Sequence, residues 1–238
     1  MVHSSLSQLG WTVGGPVTVV RALIEVLEPL GTLVMPAETP YMLDPSTGSD
    51  PRVKAEWHDT IRAHLAVFDP LTSASTMGAI AEAFRTYPGT LRSQSPYISV
   101  CANGHLAKDI IEEHALEFGE GRSTPFEKLY NLGAYTLLLG VGFNRCTSLH
   151  YAESLVPTRR TTINRFPVIQ NGERVWIEAA GMANDNGDLF PEAGKQFAHH
   201  HTVISQKVGN AQALFFSTRE LVDFSEGYFT RVLPQVPE

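Results

Sequence analysis

Tyr135-Thr-Leu-Leu-Leu-Gly-Val-Gly142, followed four residues later by Thr147-Ser-Leu-His-Tyr-Ala-Glu153, decides how this chain is read. The first stretch is an apolar strand predicted over 135–141. Such a strand ends at a sheet rim, where α/β proteins keep their chemistry. The second stretch delivers two hydroxyls, an imidazole and a carboxylate to that rim. If a helix opens after Asn144, His150 and Glu153 lie three residues apart on one face. Histidine is the side chain most easily poised as a general base near neutral pH. The same pair at an exposed helix start could equally be two ordinary side chains facing water.

Working outward, the chain alternates helices and strands. Val17–Val26 has apolar residues at helical spacing, ended by Pro29 and Gly31, and Thr32–Met35 follows as a short buried strand. A helix running straight into a strand is the αβ unit of a layered sheet. Residues 36–76 are rich in Pro, Asp, Ser and Thr and too long for a plain connection, which points to a functional loop. Helices are expected over Gly78–Arg85 and Leu106–Leu116, with a strand over Tyr97–Ala102 between them. Thr124 before Pro125 reads as a cap opening a helix to Leu132. Beyond His150, Thr161–Val168 and Arg174–Ala179 flank Asn171-Gly172, a strong hairpin signal. A Gly/Asn/Asp-rich loop, a helix, a strand near Ala213–Ser217 and a helix from Thr218 to Phe229 complete the chain. The fold class is α/β: one layered domain over residues 1–238, with a hairpin inserted at about 160–190.

Composition narrows the function. The chain has 238 residues, 43% hydrophobic and 18% charged, the balance of a globular protein. Its net charge of −7 argues against a nucleic-acid partner and suits a cationic small molecule. Cys101 and Cys146 read as buried free thiols rather than a disulfide or a metal knuckle. The start lacks a basic region and a long apolar core, and no stretch approaches the roughly 20 apolar residues of a membrane span. A cytoplasmic monomer is the expectation. Gly140-Val-Gly142 lacks the third glycine and the later acidic residue of a dinucleotide fingerprint. His199-His200-His201 has no Cys or carboxylate at ligand spacing, so no metal is expected.

Several segments together resemble the aminoglycoside 3-N-acetyltransferases, the antibiotic N-acetyltransferase family. They are His3-Ser-Ser-Leu-Ser-Gln-Leu-Gly10 with Val13-Gly-Gly15, Gly31–Pro36, Phe68-Asp-Pro70 with Ser75–Gly78, Arg92-Ser93, Leu137–Gly142, Thr147–Glu153 and Leu221–Phe224. The resemblance covers nearly the whole chain. It implies an α/β/α fold distinct from the GNAT acetyltransferases, acetyl-CoA as donor, and the 3-amino group of a 2-deoxystreptamine aminoglycoside as acceptor. There are two departures. The family carries a helix and most of a strand ahead of the His-Ser-Ser segment, so the first strand here reads as truncated. Ser95 also stands where the family commonly has histidine.

The resemblance assigns roles. His150 would be the general base, removing a proton from the acceptor amine. Glu178, where the family places an acidic site residue, is the preferred carboxylate partner of His150, with Glu153 as support. Thr147 and Ser148 would serve the oxyanion or the leaving thiolate, or simply cap the helix. His3, Ser4, Ser5, Leu6, Gly14 and Gly15 resemble the CoA contacts, with Met77 and Arg92 as weaker candidates. A polycationic acceptor should meet carboxylates, and Glu38, Asp44, Asp69, Asp185 and Asp188 lie in predicted loops beside strand ends; Tyr41 and Trp57 could pack on sugar faces. Two alternatives stay open: another small amine as acceptor, or a binder without turnover.

Overall fold

The computed structural model describes residues 1–47, 53–183 and 186–233. In chain order the elements are β1 (Val2–Ser4), α1 (Leu6–Leu9), α2 (Gly15–Leu27), β2 (Thr32–Pro36), α3 (His58–His64), α4 (Ala79–Arg85), β3 (Leu91–Arg92), β4 (Val100–Gly104), α5 (Ala107–Ile111) and α6 (Pro125–Asn131). Then come β5 (Tyr135–Leu139), α7 (Ser148–Ser154), β6 (Thr161–Gln170), β7 (Glu173–Met182), α8 (Phe190–His200), β8 (Ile204–Val208), β9 (Ala211–Ser217) and α9 (Thr218–Val232).

The strands form three sheets, in the orders β1-β5-β9-β8, β2-β4-β3 and β6-β7. β1 runs parallel to β5, with Val2 opposite Leu137 and Ser4 opposite Leu139. All the other pairings are antiparallel. β1 and β2 lie side by side, so the two larger sheets make one layer. The single central sheet expected from the sequence is therefore a layer split in two between those strands.

Strand alternation creates the layering. Successive side chains of a strand point to opposite faces. On β5, Leu138 enters one core while Leu137 and Leu139 face the other. Likewise Val34 points one way and Leu33 and Met35 the other, as Val100 and Ala102 oppose Cys101. One core is closed by α2 and α4 through Val20, Ile24, Ile80 and Phe84. The other is closed by α6 to α9 and the hairpin through Phe126, Leu149, Phe166, Phe197 and Phe229. This is the three-layered α/β fold the sequence indicated.

Several expected elements hold with small changes of boundary. The Asn171-Gly172 turn has both residues at positive φ, 53° and 82°, the geometry that joins a tight hairpin. Thr124 caps α6, its hydroxyl accepting from Phe126 N at 3.3 Å. Cys101 and Cys146 are buried and free. The helix expected over Leu106–Leu116 stops at Ile111, because the chain then turns to bring His114 against Ser93 and Gly119. The strand expected over Tyr97–Ala102 begins at Val100, since residues 95–98 form a turn in which Ile98 N donates to Ser95 Oγ. No helix among the described residues is long and apolar enough to cross a membrane.

Candidate active site

Seven-residue α7 carries the candidate base. Ser148, Leu149, Tyr151, Ala152, Glu153 and Ser154 are all buried, leaving His150 as the one residue of the helix that keeps some exposure. Its side chain is 22% exposed, against 1% for Glu153. His150 Nδ1 lies 3.3 Å from Glu153 Oε2. The ring is backed edge-on by Phe190 of α8, with centroids 4.7 Å apart. A carboxylate on one nitrogen and an aromatic edge beside the ring fix its orientation.

The electrostatics around this imidazole are acidic. Burial alone would lower its pKa, but the Glu153 hydrogen bond and the charges of Glu120, Glu153 and Glu38 raise it to about 9. Glu38 follows β2, its carbonyl accepting from both Thr76 N and Thr76 Oγ1. Glu120 comes from the loop between α5 and α6. No local pattern marked it; it is a half-buried residue between two glycines, recognisable only once the loop is folded against β7.

Beside this acidic corner lies His3, whose Nε2 is 3.5 Å from Thr147 Oγ1. Burial, then the adjacent chain terminus and His150, push the His3 pKa down to about 3, so the ring is neutral. A cleft of about 340 Å³ spans the ends of β1, β2 and β5 and is lined by His3, Ser4, Ser5, Pro36, Met77 and Val141. A second hollow of about 580 Å³ shares Ser4 and Ser5 with it and adds Leu6, Trp11 and Gly15. Gly14 and Gly15, at φ 75° and 62°, turn the chain into α2 and set that helix's N-terminus at the second hollow. Such an edge is where α/β sheets bind ligands.

Of the expected residues, His3, Ser4, Ser5, Leu6, Gly15 and Met77 line the two clefts, while His150, Glu153, Thr147 and Glu38 form the acidic corner next to His3. Gly14 does not line them; a Cβ there would strike Thr18 Oγ1, so its place is in the turn. Other expectations are corrected. Glu178 is not the partner of His150. It lies directly across the hairpin from Arg165, and the two form an ion pair at 3.2 Å, as opposite charges do in that register. Arg92 is a buried strut. It donates to the carbonyls of Ala37, Ser73 and Pro70 and to Ser99 Oγ, with its guanidinium over Phe68.

Among the acceptor candidates, Asp44 is fully buried and holds Arg62 through two hydrogen bonds of 2.8 and 3.0 Å. Those bonds, outweighing burial, keep its carboxyl well below the usual range. Asp69 closes its own turn by accepting from the Leu71 and Thr72 N–H groups. Tyr41 donates to Ala74 O and is half exposed. Asp188 is exposed, two residues before Phe190, while Asp185 lies outside the described residues. Thr147 makes no side-chain cap to α7; its hydroxyl faces His3 instead. No three His, Cys, Asp or Glu side chains among the described residues gather as a metal-binding group.

A rim imidazole paired to a buried carboxylate, beside a cleft of hydroxyls and a helix start, has the parts of a group-transfer enzyme. Residues 1–230 match the aminoglycoside 3-N-acetyltransferases, and the chain belongs to that family of acyltransferases. It is 40% identical over 231 residues to the SPbeta prophage-derived aminoglycoside N(3')-acetyltransferase-like protein YokD of Bacillus subtilis (strain 168), covering 96% of this chain and 85% of that protein. It is 31% identical to aminoglycoside N(3)-acetyltransferase III of Pseudomonas aeruginosa, covering 94% and 84%. The crystal structure of YokD superposes with a TM-score of 0.94 at 39% identity, over 99% of this chain and 88% of that one. The binary complex of AAC-IIIb with CoASH gives 0.83 at 28% identity, over 96% and 88%. AAC-VIa bound to sisomicin gives 0.84 at 26%, over 96% and 89%.

Proposed function

We propose that this protein is a cytoplasmic, monomeric enzyme that transfers an acetyl group from acetyl-CoA to the 3-amino group of an aminoglycoside, giving resistance to the antibiotic. One observation carries the reading: α7 buries every residue but His150 and pins that imidazole to Glu153 in a corner where Glu38 and Glu120 add negative charge. The related AAC-IIIb complex with CoASH and the AAC-VIa complex with sisomicin support the donor and acceptor classes.

Ser4, Ser5 and Gly15 fit the donor. The α2 N-terminus turns unpaired N–H groups toward the hollow they line, the environment that favours phosphate. The thioester supplies an acyl carbon open to attack by an amine. His150 takes a proton from the acceptor's ammonium, and the freed nitrogen forms the C–N bond as the C–S bond breaks. The nitrogen's second proton passes to solvent, and the proton held by His150 leaves on the CoA sulfur. Glu153 holds the imidazole in one orientation and stabilises its charged form, a role worth several kcal/mol when the pair is buried. With its pKa at about 9 the imidazole is mostly charged at neutral pH, so the free base that accepts the proton is the minor form and turnover should rise with pH towards 9. Glu38 and Glu120 would attract the polycation, and Thr147, whose hydroxyl lies 3.5 Å from His3 Nε2, would serve the charge that develops on the leaving group.

Release of CoA thiol, measured with acetyl-CoA and a panel of aminoglycosides, tests the proposal. Turnover should vanish in His150→Ala while CoA still raises the melting temperature. Full turnover in that variant would end it. Because Asp44 is engaged with Arg62 and Asp69 with its own turn, another small amine is the second reading; turnover with such amines but no aminoglycoside would establish it.

A further inference from the structure

His114 is partly buried, on a loop outside the two clefts, and both of its nitrogens are committed. Nδ1 is 2.8 Å from Ser93 Oγ and Nε2 is 2.8 Å from the Gly119 carbonyl. A carbonyl only accepts, so Nε2 carries the proton and donates. Ser93 Oγ already accepts from Val100 N at 2.9 Å, so its own proton goes to Nδ1. Every direction in this chain of bonds is thereby set. Ser93 is itself clamped, its N–H donating to Val100 O at 2.9 Å. The imidazole therefore ties the β3–β4 edge to the loop residue immediately before Glu120.

That loop needs the tie. Phe118 sits at φ 47°, a left-handed conformation that costs a non-glycine residue about 1–3 kcal/mol. Phe118 N donates to Ala180 O of β7 at 2.7 Å, which holds one side of the loop. His114 holds the other. We propose that His114 is a positioning residue for the acceptor site: bridging Ser93 and Gly119, it fixes the backbone that carries Glu120 and keeps that carboxylate turned toward His150.

The inference rests on the reading of His150 as the base, and its test is independent of turnover. The groups facing His150 are Glu153 from its own helix, Glu120 from the loop, Glu38 from the end of β2 and His3 from β1. The titration of the His150 ring is followed by NMR in the full chain. Glu120→Gln should lower the midpoint by about one pH unit, the effect of losing a nearby opposite charge. His114→Leu should lower it as far, and the double variant no further. His114→Gln, whose amide can accept from Ser93 and donate to Gly119, should restore the wild-type midpoint. If His114→Leu leaves the midpoint in place while Glu120→Gln lowers it, or if the two effects add, the proposal is overturned. Should His114→Leu not fold, Ser93→Ala is read in the same way. Absence of acetyl transfer in the wild type would overturn the enzymatic reading while leaving this result intact.

Discussion

Glu153→Gln is the sharpest probe of the site, since it keeps size and hydrogen bonding but removes one charge beside His150. The carboxylate is 1% exposed and 3.3 Å from Nδ1, so solvent screens the pair weakly. A hydrogen bond to a charged partner contributes about 1.5–3 kcal/mol. At about 1.4 kcal/mol per pKa unit, its loss moves the imidazole by about one to two units. The remaining charges of Glu120 and Glu38 keep the group above the ordinary histidine value. The His150 midpoint should therefore fall from about 9 to roughly 7–8. A heteronuclear NMR titration of the ring carbons reads this directly, and the acid limb of kcat/KM should move the same way. Glu178→Gln serves as the control and should leave the midpoint unchanged, because its partner is Arg165. Wild-type titration in Glu153→Gln, or a shift in Glu178→Gln, would refute the assignment of the pair.

Stability should be greatest near neutrality. His3 and His114 are held neutral at about 3 and 4, so unfolded imidazoles bind protons below 6.5 while the folded ones do not, and stability falls as pH drops from there, by up to roughly 3–5 kcal/mol per group. His150 acts oppositely: raised to about 9, it contributes stability below 6.5 that is lost as pH rises through 9, so a melting temperature flat from pH 5 to 9 would contradict both. Arg92→Met should cost about 3–5 kcal/mol, because the buried carbonyls of Ala37 and Ser73, the partly buried one of Pro70, and Ser99 lose a charged donor; an unchanged denaturation midpoint would count against the strut. Raising salt should increase KM for a polycationic acceptor far more than for acetyl-CoA, and equal sensitivity would argue against the acidic corner.

What could be read from the sequence was local. α2, β5, α9 and the Asn171-Gly172 hairpin announce themselves by period and turn chemistry, and the three-residue spacing of His150 and Glu153 on one helix is enough to bring them together. β8 escaped because all five of its residues are exposed, leaving no apolar alternation to detect. β1 and β3, at three and two residues, are too short for any period. Arg92 was read as a CoA contact from the family resemblance and Asp44 as an acceptor contact from its place in a loop, and in neither case does the local sequence hint at distant partners. Here those partners come from 18 to 55 residues away. Glu178 illustrates the opposite failure: its place in the family pattern pointed to His150, yet the register of the hairpin sets Arg165 directly across from it. Glu120 required the folded loop itself.

The alternation of β5, β4 and β2 between two cores has a mechanical consequence. Neither half of the protein owns its wall: removing α2 and α4 would bare the backs of the same strands that α6 to α9 lean on. Loosening on one side is thus transmitted through shared backbone to the imidazole on the other, and calorimetry should record a single melting event in which enzymatic competence and bulk order disappear together.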